Sequence, residues 1–163
     1  MEKLFHFDSP TEPYQSDAAV IYCFDDRITL AVQKFLKRRG LTRADIIRVA
    51  GGPKALASPG DESERAFLLQ QLWLSQKLHG TSRLLLFSHS DCGTYGGLAA
   101  FGGDPAAEVS HHHAELARAV SAVNLAMPDL EIECLFVDFC GVWGLEAAEL
   151  LRPACRPAAA AQF

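Results

Sequence analysis

The chain has 163 residues, enough for one domain with a full core and too few for two comfortable ones. Apolar residues make up 49% and charged residues 21%, an ordinary globular composition. The net charge of −5 argues against a nucleic-acid partner, no apolar run reaches the ~20 residues that span a bilayer, and the five scattered cysteines do not form a disulfide scaffold.

Residues 1–17, MEKLFHFDSPTEPYQSD, are acidic and Pro-containing, without the apolar core or cleavage site of a signal peptide. They read as an arm, and a cytoplasmic location is expected. A continuous apolar run over 18–24 predicts a buried strand. Ile28, Val32, Phe35 and Leu36 then recur at helical spacing, with Lys37-Arg38-Arg39 in the last turn and Gly40 as the stop. A second strand is expected over 45–50, ending at Gly51-Gly52-Pro53. Asp61 or Ser63 caps a helix over 64–79, which Gly80 closes. The third strand, 83–87, opens into SHSDCG and the glycine-rich stretch GTYGGLAAFGGDP. A long helix over about 106–126 stops at Met127-Pro128, a fourth strand covers 132–139, and GVWGLEA suggests a short closing strand. Residues 152–163 read as a frayed tail.

Strands separated by helices of this length predict an α/β fold: a single domain over 1–163 with a mainly parallel four- to five-stranded sheet and helices on both faces. In such sheets ligands sit beyond the carboxyl ends of the strands, where the winding reverses. Two metal-capable stretches end strands one and three: Cys23-Phe24-Asp25-Asp26-Arg27 and His89-Ser90-Asp91-Cys92-Gly93. If strands two and three flank strand one on opposite sides, Cys23, His89 and Cys92 converge. Two thiolates and an imidazole are the ligand set of a catalytic zinc with an open fourth position. Iron is conceivable, but no fourth cysteine completes a cluster. Arg27 can pair with Asp25 through a bidentate fork, holding the carboxylate off the metal or orienting it. Each feature alone has an ordinary structural reading; their joint placement is the specific signal.

Cys-x-Asp-x-Arg after strand one, Arg48-Val-Ala-Gly-Gly52 after strand two and His-x-x-Cys-Gly after strand three resemble the β-class carbonic anhydrases, over roughly residues 18 to 145. Phe136-Val-Asp138 resembles the end of that family's fourth strand. The resemblance implies one Zn2+ per chain on Cys23, His89 and Cys92. Water is then the fourth ligand, or Asp25 if the site is closed, and Arg27 draws Asp25 away. It implies reversible hydration of carbon dioxide to bicarbonate by zinc-bound hydroxide, and a homodimer or tetramer. Hydrolysis of carbonyl sulfide or carbon disulfide at the same zinc, or a non-catalytic relative that binds zinc or bicarbonate, are the alternatives. Val49 departs from the family's usual asparagine.

His111-His112-His113, behind Ser110 as a suitable N-cap, reads as an exposed helix start, because neighbouring helical residues point about 100° apart. The glycine-rich stretch lacks dinucleotide-binding spacing and reads as a wall of the metal pocket, with Tyr95 near substrate. Cys134 and Cys140 are expected to be buried free thiols and Cys155 exposed. Trp73 and Trp143 are expected to pack against the core or a partner.

Overall fold

The computed structural model of the chain describes residues 1–145. Residues 1–15 are exposed and without regular secondary structure. The elements that follow are β1 (Ala18–Cys23), α1 (Asp26–Arg38), β2 (Ala44–Val49), α2 (Lys54–Ala57), α3 (Glu62–His79) and β3 (Arg83–His89). Two 3-10 turns (Gly93–Tyr95 and Leu98–Phe101) lead to α4 (Pro105–Ala126), β4 (Glu131–Val137) and β5 (Val142–Gly144). The expected order of strands and long helices is present; the four-residue α2 and the 3-10 turns are additions that short, glycine-rich sequence does not announce.

The sheet order is β2-β1-β3-β4-β5, parallel except for the β4–β5 pair. β1 is buried along its whole length, and β3 is buried from Leu84 to His89. Both are interior strands flanked by parallel neighbours, which is why they read as unbroken apolar runs. The edge strand β2 alternates between partly buried and exposed residues. From β1 the chain winds outward to β2, then crosses back to β3 on the other side of β1. The reversal of winding therefore falls between β1 and β3, where Cys23 and His89 end their strands.

Helices cover both faces. On one, Ile28, Val32 and Leu36 of α1 pack on Val20, Tyr22, Leu85, Phe87 and Leu135. On the other, Leu68 and Leu72 of α3 and Leu116, Ala119 and Val123 of α4 pack on Ala19, Ile21, Leu84 and Leu86. The alternation of β1 and β3 residues between the two clusters is the period of two expected of strands. Phe87 is fully buried and meets Tyr22 and Phe35 edge-on. Truncating it to alanine is expected to cost about 3–5 kcal/mol.

The helix ends follow their chemistry. Asp61 caps α3 by accepting from Ser63 N–H, and Gly80 closes it in the left-handed conformation (φ 66°). Asp104 caps α4 and Pro105 occupies its first turn. His111–His113 therefore lie in the second and third turns rather than at an exposed start. Of the three, His112 is completely buried, which corrects the surface reading. Cys140 is also corrected: it is exposed and disulfide-bonded, not a buried free thiol. Cys134 is free and partly buried against the α3/α4 core. Trp73 is 49% exposed with Lys77 over its ring, and Trp143 is 38% exposed. Cys155 and the tail over 152–163 lie outside the described residues. Among the described residues no helix is long and apolar enough to cross a membrane.

Candidate metal centre

The site begins where β1 stops. Cys23 pairs in register with Val49 of β2, and the chain leaves the sheet through Phe24 into Asp25. Asp25 is the N-cap of α1: its Oδ1 accepts the backbone N–H of Arg27 at 3.0 Å. Aspartate suits that position because its carboxylate satisfies a helix N–H that has no partner within the helix. The same cap turns Arg27 back on Asp25. Nε of Arg27 donates to Oδ1 and Oδ2 at 3.1 Å each, and Nη2 donates to Oδ2 at 2.7 Å. These bonds outweigh the opposing effect of burial and hold the Asp25 carboxyl down to about 2, so it is ionised at neutral pH. The other side of the guanidinium engages Asp91, with Nη1 donating to Oδ2 and Nη2 to the backbone carbonyl, both at 2.9 Å.

The second half starts where β3 stops. His89 is 1% exposed. Its Nδ1 donates to the carbonyl of Ser90 at 2.9 Å, and Ser90 N–H in turn continues the ladder to Val137. That bond fixes the tautomer and leaves Nε2 as the bare lone pair, buried and without a hydrogen-bond partner. Cys92 is 2% exposed, and its carbonyl receives the N–H groups of Tyr95 and Gly97, which wind the 3-10 turn beneath it.

Loop 50–53 closes the third side. Gly52 has φ +57°, and a Cβ there would stand 2.9 Å from the Phe87 carbonyl and 3.1 Å from Cys23 N. The backbone at this position thus lies flush against the ends of both β1 and β3, an approach only glycine permits. Val49, the last residue of β2 before this loop, packs its side chain on the α3/α4 core.

One ligand atom each from Cys23, His89 and Cys92 lies within 4.8 Å of the others, all three residues being buried. The chemistry of these donors fits a borderline-soft dication such as zinc on two grounds. First, the orphaned Nε2 of a buried imidazole costs free energy unless something binds it. Second, the two sulfurs hold a negative charge between them. Hydrogen bonding from the Cys92 thiol, against the effect of burial and helped by the neighbouring His89 ring and the Asp25 and Gly51 backbone, holds Cys23 well below the usual thiol range. Cys92 is pushed up by the Cys23 charge and by burial. A bound dication relieves that conflict and lets both act as thiolates. Asp25 is not among the three converging residues; both of its oxygens are taken by Arg27.

Tyr95 lies next to this centre, but its phenol turns to α4 and donates to Glu115 Oε2 at 3.0 Å. Burial and then the Glu115 charge raise its pKa, so the phenol stays protonated. Sequence reasoning missed the buried polar side of α4: Glu108 accepts Asp91 N–H at 2.7 Å, and Glu115 accepts from Ser58 at 2.6 Å and pairs with Arg118. A signal for it existed. The apolar stripe through Val123, Ala119 and Leu116 extends backward at helical spacing onto Glu115, His112 and Glu108.

A family model described as "Putative carbonic anhydrase" matches residues 14–146. No curated protein matches the sequence. Among solved structures, a carbonic anhydrase from Streptococcus mutans is 19% identical, with TM-score 0.58 over 85% of this chain and 88% of that one. The β-carbonic anhydrase isoform I of Trichomonas vaginalis is 17% identical, with TM-score 0.56 over 85% and 87%. A carbonic anhydrase from Glaciozyma antarctica is 20% identical, with TM-score 0.52 over 81% and 83%. At these identities the likeness is one of fold.

Proposed function

Since the chain belongs to the carbonic anhydrase family whose model spans residues 14–146, we propose that it catalyses the reversible hydration of carbon dioxide to bicarbonate at a zinc held by Cys23, His89 and Cys92. The observation that carries this reading is the convergence of those three buried ligand atoms within 4.8 Å, beside an Asp25–Arg27 pair. Zinc, when bound, supplies a Lewis acid that makes water nucleophilic near neutral pH.

The chain's own residues do the remaining work. The Ser90 carbonyl keeps the His89 proton on Nδ1, so Nε2 is available as a ligand. Backbone N–H groups of Asp25 and Gly51 stabilise the Cys23 thiolate, and Thr94 does the same for Cys92. Asp25, ionised and fixed by Arg27, serves as the hydrogen-bond acceptor that orients the attacking water toward the substrate carbon. Arg27 keeps that carboxylate from becoming a fourth ligand. Leu30, Phe67, Trp73, Leu78 and Phe139 are large apolar side chains left exposed. They support assembly of the chain with further copies as a homodimer or tetramer.

The test is stopped-flow hydration of carbon dioxide by protein whose zinc content has been measured in the same preparation. Rates well above buffer, in proportion to zinc, are expected. Background rates in fully loaded protein overturn the hydratase reading. Sulfide release from carbonyl sulfide or carbon disulfide would then move the same centre to sulfur substrates.

A further inference from the structure

Asp91 is the one non-glycine with a positive φ (53°) among the described residues. Aspartate tolerates this region better than most side chains, yet it is uncommon and needs to be held in place. Three groups hold it from behind. Its N–H donates to Glu108 Oε1 at 2.7 Å, a carboxylate only 1% exposed, and its Oδ1 accepts from Leu98 N–H at 3.0 Å. Gly97 lies so close that a Cβ there would stand 2.7 Å from Oδ1. With Oδ1 committed to the loop, Oδ2 and the backbone carbonyl are left to face Arg27, and both bond to it.

Arg27 is therefore gripped at two ends: Asp25 takes Nε and Nη2, while Asp91 takes Nη1 and shares Nη2. The arginine side chain is 47% exposed. A single ion pair at such a place contributes little, because water competes and the long side chain loses rotamer freedom. A planar guanidinium held from both sides loses that freedom once for two partners.

We propose that Asp91 is a positioning residue, seated by Glu108 and Leu98, that fixes Arg27 so that the Asp25 carboxylate stays on the guanidinium instead of moving onto a metal at Cys23, His89 and Cys92. The fourth position of that metal stays open as a result. This inference rests on the metal-centre reading above. Asp25 and Arg27 alone do not secure the open state; the loop after the third strand does.

The test uses cobalt(II)-loaded protein titrated with azide, followed through the visible d–d bands. Asp91→Asn is the principal variant: asparagine accepts a positive φ, and its amide oxygen can still receive Leu98 N–H. Its NH2 group then meets Arg27 as donor against donor. Azide affinity is expected to fall by about 10-fold or more, the scale on which partners of metal ligands act. Adding Asp25→Asn in the same chain should restore affinity to within about 3-fold of wild type, because no carboxylate remains to close the site. The sign is diagnostic, since removing a negative charge near the metal would by itself strengthen anion binding. Leu98→Pro reaches the same point with the charge intact by removing the N–H that holds Asp91 Oδ1 at the first position of its 3-10 turn, and serves if Asp91→Asn does not fold. Unchanged or tighter azide binding in Asp91→Asn, or no recovery in the double variant, overturns the inference while leaving the metal centre standing. Wild-type protein that takes up neither cobalt nor zinc overturns both.

Discussion

Two sets of metal-capable side chains lie in this chain in opposite circumstances. Cys23, His89 and Cys92 are drawn from the ends of two strands far apart in sequence, and their ligand atoms come within 4.8 Å of one another. His111, His112 and His113 are consecutive, yet the helix turns each by about 100° from the last. His112 is buried against Tyr95 and Phe136 with both ring nitrogens unpartnered, while His111 and His113 stay half-buried. Sheet winding gathers what the sequence separates, and a helix disperses what the sequence places together. Proximity in sequence is therefore the poorer guide to a ligand set.

The largest effect that tests this contrast is expected at Cys92. Cys92→Ser should bring zinc from one ion per chain toward none and abolish carbon dioxide hydration, whereas His113→Ala should leave both unchanged; elemental analysis and stopped-flow measurement check this. Comparable zinc loss in His113→Ala would erase the distinction. Next in size is Arg27→Gln, which keeps the three converging residues but releases Asp25. Zinc should stay near one per chain while hydration falls by about 10–100-fold, the scale of losing a partner that orients a metal site.

The smallest effects concern His112. Burial lowers its pKa from the ordinary 6.5 to about 4, so it is neutral in the fold and charges readily only when unfolded. Its contribution to stability is full above about pH 6.5 and is lost as pH falls toward 4, because over that window the unfolded chain binds the extra proton. The loss is on the order of 2–4 kcal/mol. His112→Leu should remove this acid sensitivity and, by replacing two unpartnered ring nitrogens with apolar surface, stabilise the protein by about 1 kcal/mol at pH 7. Urea unfolding at pH 7 and pH 5 reads both. A destabilised His112→Leu would mean that the ring nitrogens have a partner after all.

The fold was legible because each interior strand is an unbroken apolar run between helical repeats, and because turn chemistry marks the ends, as with Gly40 and Gly80. The three converging residues were legible for a related reason: once strands two and three are placed on either side of strand one, the strand ends must meet. What escaped notice is polar and buried. Glu108 and Glu115 are helical glutamates, which by composition belong at the surface, and only their phase with Ala119 and Val123 places them inside. Asp91 was visible as part of a motif, but its positive φ and its grip on Arg27 depend on Leu98 and Glu108, residues outside the motif that the loop and the following helix bring back to it. Cys140 was misplaced because strand parity was carried past Val137, where the strand ends and an Asp138 side-chain turn begins.

Gly52 lies where the two halves of the site come together. A Cβ there would press on the Phe87 carbonyl and the amide of Cys23, which leaves no room for a methyl group. The glycine acts as a feeler gauge: the clearance between loop 50–53 and the paired ends of the first and third strands is the thickness of a bare peptide. A single carbon added there would act as a wedge, lifting the loop from the strand bearing Cys23 and the strand bearing His89 without replacing a ligand. The fit of the loop over the three converging residues is thus written in a residue that has no side chain to offer them.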